Sequence, residues 1–404
     1  MKLTKSNLFL VVALFYTLYM LFPLFADVAR LPVWLPSMIS VAIMFTLYPQ
    51  AFRNKVFYWF LVYAAVLALF VMIGKPLTIG IGSVRDNKKI FIEFAYILPP
   101  IGIYSILTYL KSYKLTRRYV LWSIIILYAS FVVAVPLMLR YSSLRAALGE
   151  QGETLTIPGL PGYSLMHAYT LFAPPLCYGI RYTKGKWKTI NLIALLALSY
   201  VILSTYVTTS LIILSAIIAF TFLYSSERSF LFWMFIFLLF YMCYELGFFI
   251  DFIDWLAPFF DGTAVAPKLE DIRKSMVEGQ IQGGTITGRQ TLHDISLHSF
   301  MENPLWGTSV VGSHSSLLDR IGGMGILGGI PFLMIFITFT RRFRRLLFTK
   351  EAQAFFIIGI VASFLYLYEK GNWGAESWLM MMVMMPMTIW ALEKGLTSRG
   401  LLQS

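Results

Sequence analysis

Arg289, His314, Asp319 and Arg320 are the residues whose types and spacing could do chemistry together. They sit in the run GRQTLHDISLHSFMENPLWGTSVVGSHSSLLDRIGGMGILGG, from Gly288 to Gly329. An arginine fork pairs two phosphate oxygens and stays charged at any working pH. An imidazole can accept or orient a hydroxyl proton near neutrality. The run could therefore hold a phosphate leaving group and handle a hydroxyl nucleophile at one place. Its second half is apolar enough to enter a membrane, where ionisable groups are costly and usually serve a function. Duller roles exist for each. Arg289 could pair with Asp294 or Glu302, His314 could cap its own helix, and Asp319 and Arg320 could satisfy neighbours in a bundle. Continued as one helix at about 100° per residue, the run puts Asp319 on the side of His314 and Arg320 one step away. Gly322, Gly323, Gly325, Gly328 and Gly329 then make a small-residue packing face inside a helix, a better reading than a phosphate loop.

The elements that must position these groups are apolar helices. Hydrophobic residues make up 58% of the 404, charged residues 13%, and mean hydropathy is +0.72. Soluble domains carry about 25% charged residues, so the composition is that of an integral membrane protein. A net charge of +13 does not point to nucleic acid, because the basic residues fall in short clusters between apolar runs. Spanning takes roughly 20 apolar residues per helix. That length predicts about 12 spans, at 7–25, 33–52, 56–73, 90–110, 119–139, 164–181, 187–204, 208–225, 229–250, 314–340, 352–368 and 375–392. The chain divides into helices 1–9 over 1–250, a long loop over 251–313 and helices 10–12 over 314–404. With the N-terminus inside, the inner segments hold twenty basic and three acidic residues, and the outer side thirteen and seventeen. Both termini are then cytoplasmic, and the loop 251–313 lies outside. It is too long for a bare connection, and Leu269–Val277 and Arg289–Met301 have helical spacing, with Leu292, Ile295 and Phe300 on one side. Tryptophans near span ends, including Trp34, Trp122, Trp187 and Trp373, suit interfacial belts.

Charges inside the apolar runs (Glu93, Glu245, Asp319 and Arg320) all fall toward the outer ends. Transporters place polar sites near the midplane, so this distribution argues against a flippase or exporter. Two outer segments, 74–89 and 140–163, add Arg85, Lys88 and Lys89, and Arg140 and Arg145. They run against the positive-inside trend. Attraction to an anionic lipid headgroup explains them, as does an amphipathic surface segment with Lys89 paired to Glu93. No histidine or carboxylate spacing matches a metal motif: His293 and His298 are five apart, and Asp27 stands beside Arg30. Cys177 and Cys243 both lie in apolar runs.

The succession Thr287-Gly288-Arg289, then Glu302-Asn303-Pro304-Leu305-Trp306-Gly307, then His314-Ser315 with Leu318-Asp319 and Gly325 and Gly328 resembles the signature of the bacterial O-antigen ligase and polymerase superfamily. The motifs cover about residues 287–329, and the multi-span topology with one long outer loop near the C-terminus covers the chain. His-Ser followed by aspartate is more like the polysaccharide polymerases. The ligases more often have His-Asn, with glutamate at the position of Gly323. The Gly159–His167 stretch faintly resembles a second outer-loop motif, which brings in Arg140 and Arg145. The resemblance implies an all-α membrane glycosyltransferase of the GT-C-like class, in a bacterial cytoplasmic membrane and facing outward. It would act on polyprenyl-pyrophosphate-linked oligosaccharides as donor and acceptor, needing neither cofactor nor metal. Arg289 would hold the pyrophosphate and His314 the acceptor hydroxyl. Arg85, Lys88, Arg140, Arg145, Asp319 and Arg320 would assist substrate binding, and a chain-length regulator and a flippase would be partners. A ligase or protein O-oligosaccharyltransferase with the same donor is the nearest rival, and a lipid-linked oligosaccharide flippase a more distant one.

Overall fold

The computed structural model describes residues 4–73, 87–138, 159–160, 162–205, 207–224, 248–262, 266, 269–270, 273, 285–370 and 373–398. The side chains of 87–91, 138, 208, 248–249 and 285–289 are outside that description. Arg85, Arg140, Arg145, Glu245, Cys243, most of the span expected at 229–250 and the side chains of Lys88, Lys89 and Arg289 therefore lie outside the described residues.

Every regular element among the described residues is helical. In chain order they are α1 (Lys5–Leu21), α2 (Pro23–Ala29), α3 (Trp34–Leu47), α4 (Lys55–Met72), α5 (Asn87–Leu110), α6 (Tyr113–Met138), α7 (Tyr163–Thr170), α8 (Ala173–Tyr182), α9 (Lys186–Thr205), α10 (Thr208–Leu223), α11 (Phe248–Leu256), α12 (Thr285–Glu302), α13 (Ser316–Arg344), α14 (Lys350–Glu369) and α15 (Ala375–Thr397). A helix suits a lipid-embedded chain, since it answers each backbone group within its own segment. Side-chain caps mark the starts: Thr4 accepts from the Asn7 N–H, Asn54 from Val56 and Phe57, and Thr349 from Ala352.

Among the described residues seven helices, α4, α5, α6, α9, α13, α14 and α15, are long and apolar enough to cross a membrane, or eight if α1 and α2 form one bent span. That makes a multi-pass α-helical membrane protein. The expectation of about 12 spans meets shorter pieces elsewhere. Pro23 starts α2 at its first turn and the chain bends by 97° there. The apolar run at 164–181 is split into α7 and α8 around Leu171–Phe172, and α3 has 14 residues.

Burial ranks the helices. In α15, 89% of the apolar window is buried, against 28% in α4, so α15 is the centre and α4 a peripheral helix. The run Met380–Met385, methionine but for Val383, fills that centre together with Met387, and the unbranched methionine side chains suit irregular gaps. Around it pack α5, α6, α7, α8 and α14, while Phe332 and Phe336 of α13 reach its Trp378, and α4 lies along α13. Trp34 and Trp187 are exposed at helix starts, as belts require, whereas Trp122 is exposed nine residues inside α6. Trp373 is instead buried against Tyr366 and Trp378.

Candidate functional site

α12 is the longer described helix of the long loop, and it lies directly against α13. The contact is backbone to backbone. A methyl group added at Gly312 would stand 1.9 Å from the carbonyl oxygen of Leu292, and one at Gly322 2.4 Å from that of Ser296. The face of α12 turned inward is therefore polar and small, with His293, Ser296 and Ser299 buried. Leu292, Ile295 and Phe300, expected to form its packing side, are only half-buried. Close approach of two backbones favours serine over leucine because only short side chains fit between them.

Those serines carry the connection. Ser296 Oγ donates to Asp319 Oδ1 at 2.7 Å and accepts the Gly312 N–H at 2.9 Å. Ser299 Oγ donates to the Val310 carbonyl. Asp319 Oδ2 accepts the Ser315 N–H at 3.1 Å, and Ser315 Oγ accepts the Leu318 N–H at 3.1 Å as the N-cap of α13. One carboxylate thus ties α12 to the turn that opens α13. His314 stands in that turn, between Ser313, whose φ is +58°, and the cap. Since α13 begins at Ser316, the helical arithmetic that put Asp319 on the side of His314 does not hold. Asp319 reaches the turn through the backbone of Ser315 instead. The His314 ring centre lies 6.4 Å from that of His293, which packs 4.9 Å from the Tyr368 ring at the end of α14. Position 289 is four residues before His293 on α12, hence on the same face and about 6 Å along the axis.

The helix α13 is itself broken. Gly325 has φ +58° and ψ −157°, a combination open essentially to glycine alone. The glycine run is therefore not a continuous helical face, as the sequence suggested. The backbone donors freed at the break are taken by the Glu302–Gly307 motif. Ile326 N donates to Pro304 O at 2.8 Å and Leu327 N to Leu305 O at 3.3 Å. In return Thr308 N donates to Gly322 O at 2.9 Å. Non-helical backbone at membrane depth persists where protein satisfies it in this way. Trp306 anchors the plug against Phe70 of α4 at 5.6 Å.

Arg320 is directed elsewhere. Its guanidinium forms an ion pair with Glu93 of α5, donates to the Ser316 carbonyl and lies 4.6 Å above the Phe332 ring. Both partners are buried, Arg320 at 3% exposure and Glu93 at 5%. Glu93, which the sequence could set against Lys89, is thus the counter-charge of Arg320. Asp27, weighed as a metal ligand, accepts the Gly159 N–H at 2.7 Å, where Gly159 has φ +83°. His167 is buried 4.5 Å from the Tyr366 ring.

A second polar group was missed by the sequence reading. Ser164 of α7 donates to Glu376 Oε2 at 2.9 Å and accepts the Gly374 N–H at 3.0 Å, while Ser377 Oγ donates to the Ser164 carbonyl at 3.1 Å. These bonds lock α7 to the start of α15. A lone glutamate opening an apolar run, Gly374-Ala375-Glu376-Ser377-Trp378, was the available signal. Among the described residues, no three histidine, cysteine, aspartate or glutamate side chains gather as metal ligands do.

No family model matches the chain, and no curated protein matches it.

Proposed function

We propose that this chain is a membrane glycosyltransferase that polymerises polyprenyl-pyrophosphate-linked oligosaccharide repeat units on the outer face of a bacterial cytoplasmic membrane. The observation that carries the reading is the docking of α12 on the opening turn of α13. It sets the rings of His293 and His314 6.4 Å apart, with position 289 one helical turn before His293. An arginine and an imidazole on neighbouring elements are what transfer from a pyrophosphate leaving group to a hydroxyl requires. The acceptor hydroxyl oxygen bonds to the anomeric carbon of the donor sugar as the bond to pyrophosphate breaks. His314 takes or orients the hydroxyl proton, and Arg289 pairs with the departing polyprenyl pyrophosphate. Asp319 positions His314 through Ser315 and Ser296, while Arg320 acts on the bundle through Glu93. Arg85, Lys88, Arg140 and Arg145 belong to outer segments that would attract the anionic headgroups.

The test is purified full-length protein incubated with lipid-linked repeat units, with and without a chelator. A ladder of longer glycans that persists in chelator, and that Arg289→Ala or His314→Ala abolishes, is the expected result. Single transfer to a different acceptor would favour a ligase. Transport of the lipid-linked unit without bond formation, insensitive to Arg289→Ala, would overturn the enzyme reading.

A further inference from the structure

At the opposite end of the bundle three segments far apart in sequence converge on a cavity of about 250 Å³. Lys111 comes from the end of α5, Arg345 from just past α13, and Lys394 from the last turns of α15. The walls between them are apolar, chiefly Leu107, Phe343, Met387 and Trp390. Lys111 and Arg345 are exposed and Lys394 is half-buried. None of the three makes an ion pair with a described residue. The nearest acid along the chain, Glu393, is committed elsewhere. Its Oε1 accepts the N–H groups of Phe348 and Thr349 and the Thr349 hydroxyl, which caps the start of α14. Lys394 Nζ lies 4.0 Å from the Phe348 ring centre, a cation–π contact, and feels the Glu393 carboxylate only at a distance, without an ion-pair contact.

A positive excess on cytoplasmic loops explains why basic residues occur at this end. It does not explain why three of them, unpaired, share one cavity with an aromatic and aliphatic floor. Cations above apolar walls complement a molecule with an anionic head and hydrocarbon below it. The cavity is smaller than the roughly 300–1,000 Å³ of a drug-sized ligand site, which suits a headgroup rather than a whole cofactor. Basic pockets between membrane helices at the cytoplasmic side take phosphate headgroups.

We infer that the Lys111–Arg345–Lys394 cavity is a binding site for an anionic phospholipid of the cytoplasmic leaflet, with the phosphodiester against the three cations and the glycerol end of the acyl chains along Met387 and Trp390. The leaflet follows from the orientation set by charge; the binding itself does not depend on it. A lipid there would clamp α5, α13 and α15 together at their inner ends, remote from the proposed transfer site.

The experiment is native mass spectrometry of the full-length protein after delipidation in detergent and exposure to nanodiscs of phosphatidylcholine, with or without phosphatidylglycerol. Expected is retention of phosphatidylglycerol and not of phosphatidylcholine. Each cation removed should weaken it about fivefold, and Lys111→Gln/Arg345→Gln/Lys394→Gln together on the order of a hundredfold. The control Arg117→Gln/Arg118→Gln/Arg341→Gln removes the same charge outside the cavity and should retain the lipid. Equal loss in both triple variants would overturn the site, because net charge would then account for the binding. So would equal retention of phosphatidylcholine, or displacement of all bound lipid by inorganic phosphate at matched concentration. Should the triple variant fail to fold, Lys394→Gln alone must still show the fivefold loss. Glycan ladder formation by the wild type reports separately on the proposed enzyme activity.

Discussion

Replacing Glu93 by glutamine tests the buried contact between α5 and α13 without assuming any activity. The change is nearly isosteric and leaves the Arg320 guanidinium charged among Tyr63, Phe332 and the Ser316 carbonyl. Breaking a buried ion pair by removing one partner costs about 3–5 kcal/mol, most of it from the uncompensated charge. Two features of the site set where in that range it falls. The Phe332 face keeps a cation–π contact worth about 0.5–2 kcal/mol, which softens the loss. Against that, Arg320 Nε has no hydrogen-bond partner among the described residues, so the guanidinium has little left to share its charge with. A destabilisation of about 3 kcal/mol is therefore expected for Glu93→Gln. The double variant Glu93→Gln/Arg320→Met removes both charges and should recover to within about 1 kcal/mol of the parent, since apolar replacement of a buried pair is often neutral. The assay is equilibrium unfolding in mixed micelles with rising denaturing detergent, followed by tryptophan fluorescence. A single variant within about 0.5 kcal/mol of the parent would refute the reasoning, as surface changes behave that way. A double variant no more stable than the single would refute it equally.

Further outcomes follow from the α12–α13 contact. Gly312→Ala forces a methyl onto the Leu292 carbonyl and should separate the two elements, raising amide hydrogen exchange across 290–302 while membrane insertion is unchanged. Gly325→Ala meets both a backbone conformation costing about 1–3 kcal/mol outside glycine and contact with Leu305, so thermal stability should fall by at least that amount. Asp319→Ala leaves the Ser315 N–H without an acceptor and the Ser296 hydroxyl with only the Leu292 carbonyl at 3.4 Å, and should cost about 1–3 kcal/mol; Asp319→Asn, which keeps one acceptor oxygen, should cost less in the same unfolding assay. Ser164→Ala removes the hydroxyl shared by Glu376 and Gly374 and should loosen α7 from α15, seen as increased protease cleavage near 159–163.

The sequence alone determined the solvent in which this chain folds. A 58% apolar composition with lengths near 20 residues leaves helices as the available structure, and lipid enforces it. Helical spacing located α12 inside the loop, and the apolar runs located α4, α5, α9, α13 and α14 to within a few residues, and α6 and α15 to within about six. What periodicity could not show was where a helix breaks. Both the start of α13 at Ser316 and its interruption at Gly325 depend on partners distant along the chain. Lys370 O receives the Ser316 N–H, and Pro304 and Leu305 receive the donors freed at the break. The same holds for counter-charges. Glu93 and Arg320 are separated by 227 residues, so no local pattern could pair them, and the sequence offered Lys89 as the nearer partner. Tertiary structure decided those matters because a buried charge or an open backbone group takes whichever partner the packed bundle brings within reach.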